Sequence, residues 1–348
     1  MNSQRFAEIT ARYAKLRIAI VGDFCLDRYL EIDPARQETS IETDLPVHNV
    51  VRVRSQPGGA GTILNNLAAL GVGTIIPIGF CGDDGEGFEL RRALAERPGV
   101  DLRHFTTTAA RRTFTYCKPL VVAEGRKPVE LSRLDSKNWS STPPEVGRTI
   151  AAGLNAIGDE VDAVIVLDQV DLPETGAVTA AVRETAHQLQ QRRPELLVMA
   201  DSRQGLREFP PLAYKMNAAE LERLAIVDGE SQRASIEDVG HAAARLARKT
   251  GRPVFVTLSE RGIVGAVPPR GAADFSAFEH APSLPTRGAI DIVGAGDAVT
   301  ANLASAWASG ATLREALELS MGAASIVVHQ LGTTGTAGVA QLRETFGC

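Results

Sequence analysis

Short apolar runs alternate with amphipathic segments of helical period along most of this chain, and that alternation restricts the possible folds more than any other feature. Leu16–Asp23 (LRIAIVGD), Gly73–Phe80 (GTIIPIGF), VDAVIVLD ending at Asp168, ELLVMAD ending at Asp201 and PVFVTLS ending at Ser259 each read as a buried strand. Helical patterns stand between and after them: Gly58–Leu70, Gly85–Glu96, Glu174–Arg192, Ala218–Ala225, Ile236–Lys249, Gly296–Ala308, Leu313–Gln330 and a last one after Thr336. Strand–helix alternation of this kind predicts an α/β fold, a mostly parallel sheet with helices on both faces.

Two stretches break the alternation. Residues 28–56 contain PVHNVVRVRS, and residues 103–134 contain RTFTYCKPLVV and PVELSRL. Period-two patterns with one polar face suit strands outside a central parallel sheet. The expectation is a single domain over residues 1–348, with a small antiparallel β lid contributed by these two insertions.

Bulk properties narrow the function. A net charge of -5, with 44% hydrophobic and 23% charged residues, is that of an ordinary globular protein and argues against a nucleic-acid or membrane-surface binder. The N-terminal segment has no apolar signal core, and no apolar run approaches the ~20 residues that span a bilayer. Cys25, Cys81, Cys117 and Cys348 are scattered, and only six histidines are present, so neither a disulfide framework nor a zinc site is expected. The expected location is the cytoplasm.

The most informative segment is AIDIVGAGDAVTANLASAW, Ala289–Trp307. Gly294-Ala295-Gly296-Asp297 opens a helix of small residues. Amides in a first helical turn are unpaired and partly positive, so they receive phosphate oxygens, and glycine lets that backbone approach closely. A carboxylate in the same turn is placed to take a proton from an attacking alcohol, which suits phosphoryl transfer. By itself the turn also reads as a helix start capped by Asp297.

DIVGAGDAVTANL resembles the second signature of the ribokinase-like (PfkB) sugar kinases. Further segments resemble that family in its order, from about Arg17 to Gly335. PGGAGTILNNLAALG (Pro57–Gly71) resembles its N-terminal signature, with Thr62 where the family's first asparagine stands and Asn66 matching the second. VGDFCLDRY resembles its G-D-x-x-x-D strand end, and Asn217-Ala218-Ala219-Glu220 its N-x-x-E motif. VTLSERGIVGA resembles the turn lining the nucleotide site, with Ser259 in place of a glycine and Gly262 kept. ASIVVHQLGTTG occupies the position of the adenine-enclosing helix and loop.

The resemblance implies an ATP- and Mg2+-dependent kinase in which Asp297 is the base. The amides of Gly294, Ala295, Gly296 and Asp297 form the anion hole. It implies substrate contacts from Asp27, Asp23, Gly58, Gly59, Thr62, Asn66 and Asp168, and nucleotide contacts from Asn217, Ser259, Gly262, Ser325, His329 and Gly332. Glu220, with Asn217, would hold a magnesium-bound water network. Asn217 and Glu220 equally form a helix capping box, and His329 equally a structural histidine.

GDFCLDRY, RRTFTYCKPLVV and LSRLD look most like the heptose-phosphate kinase branch, which implies that Arg112, Lys118 and Arg133 receive a substrate phosphate. Tyr116 stands where that branch has lysine, and LDQVDLP where it has S-D-Y-x-K-G. No fused nucleotidyltransferase domain is expected, and lid-to-lid homodimerisation is. The open alternatives are a kinase for a nucleoside or an unphosphorylated sugar, and a non-catalytic sugar- or nucleotide-binding protein on the same fold.

Overall fold

The computed structural model describes residues 1–225, 235–269, 278–332 and 334–348. Its strands, in chain order, are β1 (Arg17–Gly22), β2 (Phe24–Ile32), β3 (Glu38–Thr39), β4 (Pro46–Val47), β5 (Val50–Gly59), β6 (Thr74–Gly82), β7 (Phe105–Thr108) and β8 (Phe114–Val121). There follow β9 (Val129–Glu130), β10 (Leu134–Ser136), β11 (Ala163–Asp168), β12 (Leu197–Ser202), β13 (Ala213–Asn217), β14 (Val254–Thr257), β15 (Ile263–Ala266) and β16 (Phe278–Ala281). The helices are α1 (Ser3–Thr10), α2 (Ala60–Ala69), α3 (Gly85–Ala95), α4 (Pro144–Ala156), α5 (Ala180–Arg192), α6 (Ala218–Ala225), α7 (Ile236–Thr250), α8 (Ala295–Ala308), α9 (Leu313–Val328) and α10 (Val339–Phe346).

The main sheet runs β16-β15-β14-β13-β12-β11-β1-β6-β7. Its pairs from β14 to β7 are parallel, and β14–β15 and β15–β16 are antiparallel. Side chains alternate between the faces of a strand. Ile165, Leu167, Met199 and Ala213 therefore pack with α8 and α9, while Val164, Val166, Val198, Ala200 and Met216 pack with α4, α5 and α7. Each buried aliphatic side chain contributes ~1.5–3 kcal/mol, so this alternation is firmly held. It also decides on which side of the sheet each strand-end polar residue emerges.

The lid is a second sheet, β10-β8-β2-β5, with β9 on β8. Both expected insertions contribute to it, but the pair that joins them, β2 and β8, is parallel, whereas β2–β5 and β8–β10 are antiparallel. β2 and β8 each leave the main sheet heading outward, so they cannot oppose one another. Residues 105–108, expected in the lid, instead form β7 at the main-sheet edge. The helix expected from Glu174 begins only at Ala180, because the preceding loop is tied down by hydrogen bonds that no periodicity reports. No described helix is long and apolar enough to cross a membrane.

Candidate active site

The N-terminus of α8 lies at the carboxyl ends of the strands, the usual ligand position in open α/β sheets. Gly294 caps the helix at φ +83, and a Cβ there would stand 2.7 Å from Thr334 Cγ2, so conformation and space both require glycine. Asp291 braces the turn: its amide donates to Val328 O (2.8 Å), and its carboxylate accepts from the amides of Val293 (3.0 Å) and Gly332 (3.4 Å). The Ala295 amide donates to Ile292 O at 3.2 Å. The expected four-amide anion hole is thus reduced to the amides of Gly294, Gly296 and Asp297, for which the described residues supply no acceptor. Burial, reinforced by Asp201 and Asp27 and opposed by Lys215 and Arg203, raises the Asp297 carboxyl to about 7.

Charged groups missed by the motif reading stand beside this turn. Asp201 and Lys215 are at odd positions of β12 and β13, on the α8 side, and their Oδ2 and Nζ are 2.7 Å apart. Burial lowers the Lys215 ammonium, but contact with Asp201 outweighs it and the net shift is upward. The signal available in sequence was parity: Lys215 precedes Asn217 by two residues on the same strand, so both emerge on one face. Asn217 and Glu220 form a reciprocal cap, the Asn217 amide on Glu220 Oε2 (2.8 Å) and the Glu220 amide on Asn217 Oδ1 (2.9 Å). Glu220 Oε1 remains without a partner among the described residues, and burial raises the carboxyl. A lone, part-buried carboxylate fits a magnesium ion carried in by phosphates and reached through water.

Across the cleft, the lid presents Asp27, Gln56, Tyr116 and Asp135 abreast in register. Asp27 is buried, its carboxyl raised by burial and held back by Lys118 and Arg133. Gly58 makes room for it, since a Cβ there would lie 2.6 Å from Asp27 Oδ2. Gly59, at φ +57, turns the chain into α2, and Gln56 Nε2 donates to Thr334 Oγ1 at 2.9 Å, joining lid to core. Thr62 is buried under the α8 turn, where a Cβ on Gly294 would come 3.6 Å from its Cγ2.

The lid cations divide. Lys118 is 3.4 Å from the Tyr29 hydroxyl and faces Asp27. Arg133 faces Asp27 too, but it is already paired with Asp135 (3.1 Å) and lies over the Tyr116 ring. Arg112 is exposed outside this cluster, its amide on Asn138 Oδ1 and its charge near Asp84. Arg112 is therefore not part of the cleft.

Two expected substrate ligands, Asp23 and Asn66, are engaged in internal hydrogen bonds, and a third, Asp168, faces away from the α8 turn. Asp23 accepts from the amides of Gln169 (2.8 Å), Val170 (3.3 Å) and Ala177 (2.6 Å), so it organises the β11–α5 loop. Asn66 is fully buried; its Nδ2 reaches Thr62 O (3.0 Å) and Gly335 O (3.5 Å), and its Oδ1 receives the Ala337 amide (3.3 Å). Asp168 follows the even parity of β11 and emerges on the opposite face from Asp201. It accepts from Ser202 Oγ at 2.8 Å and lines a cavity of about 400 Å³ with Arg183 and Glu220. Burial and neighbouring Asp23 raise its carboxyl to about 7.

Behind the α8 turn lies a cleft of about 600 Å³. Ser259, Gly262 and Ser325 line it, together with the apolar walls Leu284, Ile292, Val299, Met321 and Val328. That size and lining suit a flat heterocyclic ring. His329, Gly332 and Asn217 are not in its lining. His329 joins Ser325 O (2.6 Å) through Nδ1 and accepts the Arg287 amide (2.9 Å) through Nε2, so it secures a cleft wall. Thr333 of the expected Gly-Thr loop lies outside the described residues.

A family model described as pfkB family carbohydrate kinase matches residues 17–338. Among curated proteins, the bifunctional protein HldE of Gluconacetobacter diazotrophicus is 30% identical over 332 residues, covering 95% of this chain and 63% of that protein. The bifunctional protein HldE of Granulibacter bethesdensis is 31% identical over 339 residues, covering 95% of this chain and 65% of its own length. The chain thus spans under two thirds of those relatives. Among solved structures, phosphofructokinase-2 from Escherichia coli in complex with substrates and products matches with TM-score 0.68 and 17% identity, covering 95% of this chain and 98% of that one. Ribokinase from Arabidopsis thaliana complexed with ribose and ATP matches with TM-score 0.65 and 18% identity, covering 96% and 99%. These structures share the α/β fold with its small lid sheet, and the family match spans both the α8 turn and the lid: the chain belongs to the pfkB family of carbohydrate kinases.

Proposed function

We propose that this chain transfers the γ-phosphoryl group of ATP to a hydroxyl of a sugar or sugar phosphate, with Asp297 as the base. One observation carries the reading. The Asp297 carboxyl is raised to about 7, where it exchanges a proton near neutrality, and it shares a helix start with three open amides. The apolar cleft on one side of the turn suits adenine, and Asp27 on the other side suits a sugar hydroxyl pair. As the acceptor oxygen bonds to the γ-phosphorus its proton passes to Asp297, and the bond to the bridging oxygen of ADP breaks. The open amides receive charge on the transferring group. Mg2+, held through water by Glu220 and Asn217, would neutralise phosphate charge.

A phosphate on the acceptor would meet Lys118, and Arg133 once released from Asp135. A lid-to-lid homodimer in the cytoplasm completes the proposal. Release of ADP, measured over free sugars, sugar phosphates including a heptose 7-phosphate, and nucleosides, tests it. Turnover of a sugar phosphate that falls at least tenfold in Arg133→Ala supports the phosphate contact. Efficient turnover of a neutral sugar, unaffected by that change, refutes it and leaves the kinase reading standing. ATP binding without turnover of any acceptor points to the binding-protein alternative.

A further inference from the structure

Lys215 is only 8% exposed, in a position where an ammonium loses nearly all its water. Such burial is tolerated when the charge is paired and its donors are used. An ammonium has three donors. The described residues give Nζ one acceptor, Asp201 Oδ2 at 2.7 Å, leaving two donors without a partner. Nζ also lies 3.3 Å from where a Cβ on Gly296 would stand, hence against the turn that carries the open amides. Asp201 is tied to α8 in its turn, with Thr300 Oγ1 3.5 Å from its Oδ2. A residue that merely neutralised Asp201 would have no need to sit against the helix start with two idle donors.

We propose that Lys215 is a catalytic residue, the further donor that completes the anion hole from which Ala295 is missing, with Asp201 holding its ammonium in place. The proposal rests on the kinase reading above. It deepens that reading by assigning a fixed positive charge to the phosphoryl group in flight, in addition to any charge the metal brings. A preorganised donor in a dry site is worth roughly 10²–10³ in turnover.

Lys215→Met keeps the length of the side chain and removes the charge, but leaves Asp201 buried alone. Lys215→Met/Asp201→Asn removes both charges and tests the two roles separately. The double variant is expected to regain a wild-type melting temperature while its kcat stays at least ~10²-fold down, with sugar KM within a few-fold. Calorimetric titration reads the same site without turnover. Its ADP affinity should match the wild type, and its affinity for ADP with aluminium fluoride, a mimic of the transferring phosphoryl group, should fall by a similar factor. A double variant that turns over, or binds the fluoride complex, within threefold of wild type overturns the proposal and leaves the kinase reading intact. Wild-type protein inactive on every acceptor overturns both.

Discussion

Asp297, the proposed base, answers two opposed requirements, because the burial that brings its proton exchange near neutrality also makes its charged form costly in the folded protein. Its folded carboxyl holds a proton up to about 7, whereas an unfolded aspartate releases it near 3.9. The folded state therefore binds more protons in that window, and this residue's contribution to stability is lost as pH rises through it. Asp297→Asn should lower turnover at least ~10²-fold with ATP affinity little changed, and should melt higher than wild type at pH 8 but not at pH 4. A mutant that turns over normally would remove Asp297 from the mechanism; equal melting temperatures at both pH values would contradict the shift. In the wild type, kcat/KM should climb with pH through about 7 as the base loses its proton. Gly294→Ala strains a left-handed residue and presses on Thr334, so activity should fall at least tenfold with ADP affinity less affected.

At the scale of elements, two aspartates in one strand-end motif have separate duties. Asp23, at the β1–β2 junction, gathers the start and end of the β11–α5 loop through three backbone amides. The carboxylate of Asp27, four residues on in β2, has no hydrogen-bond partner among the described residues and faces the cleft. A buried amide left without its acceptor costs about 1–3 kcal/mol, so Asp23→Ala, which strands three of them, should destabilise the protein by several kcal/mol. Asp27→Asn should leave the melting temperature near wild type, or raise it, and raise the sugar KM at least tenfold. Thermal melts and acceptor saturation curves for both variants separate the two duties, and the reverse pattern would exchange them.

The lid sets the behaviour of the whole molecule. Its cleft-side face is polar and largely paired, as Arg54 with Glu31 and Arg133 with Asp135 illustrate. On the other face Arg28 binds Glu86 and Glu89 of α3, but farther out Val53 and Leu134 lie 48% and 65% exposed. An open apolar sheet face seeks cover, and a second lid offers a self-complementary one. Sedimentation at micromolar concentration should find a dimer that Val53→Asp/Leu134→Asp dissociates. A wild-type monomer with full activity would show that the lid works uncovered.

The central architecture and the α8 turn were legible from local pattern, since strand and helix periods, a Gly-Ala-Gly-Asp helix start and an apolar cleft helix are written in consecutive residues. Partners distant in sequence are not written there. Asn66 reads as a sugar ligand until the chain brings residues 335–337 against it, and Asp23 until the β11–α5 loop closes on its oxygens. Asp168 and Asp201 look alike as strand-end aspartates, and only the core packing that sets each strand's parity sends one away from Asp297 and the other beside it. Lys215 shows the converse, an unremarked strand residue that pairs with Asp201 and so stands against the α8 turn. Local sequence determined the elements because backbone preference and burial period act over a few residues. Tertiary structure decided which polar atoms stay free for chemistry, because that depends on hydrogen bonds closed between separate elements, for Asp23 and Asn66 across more than a hundred residues.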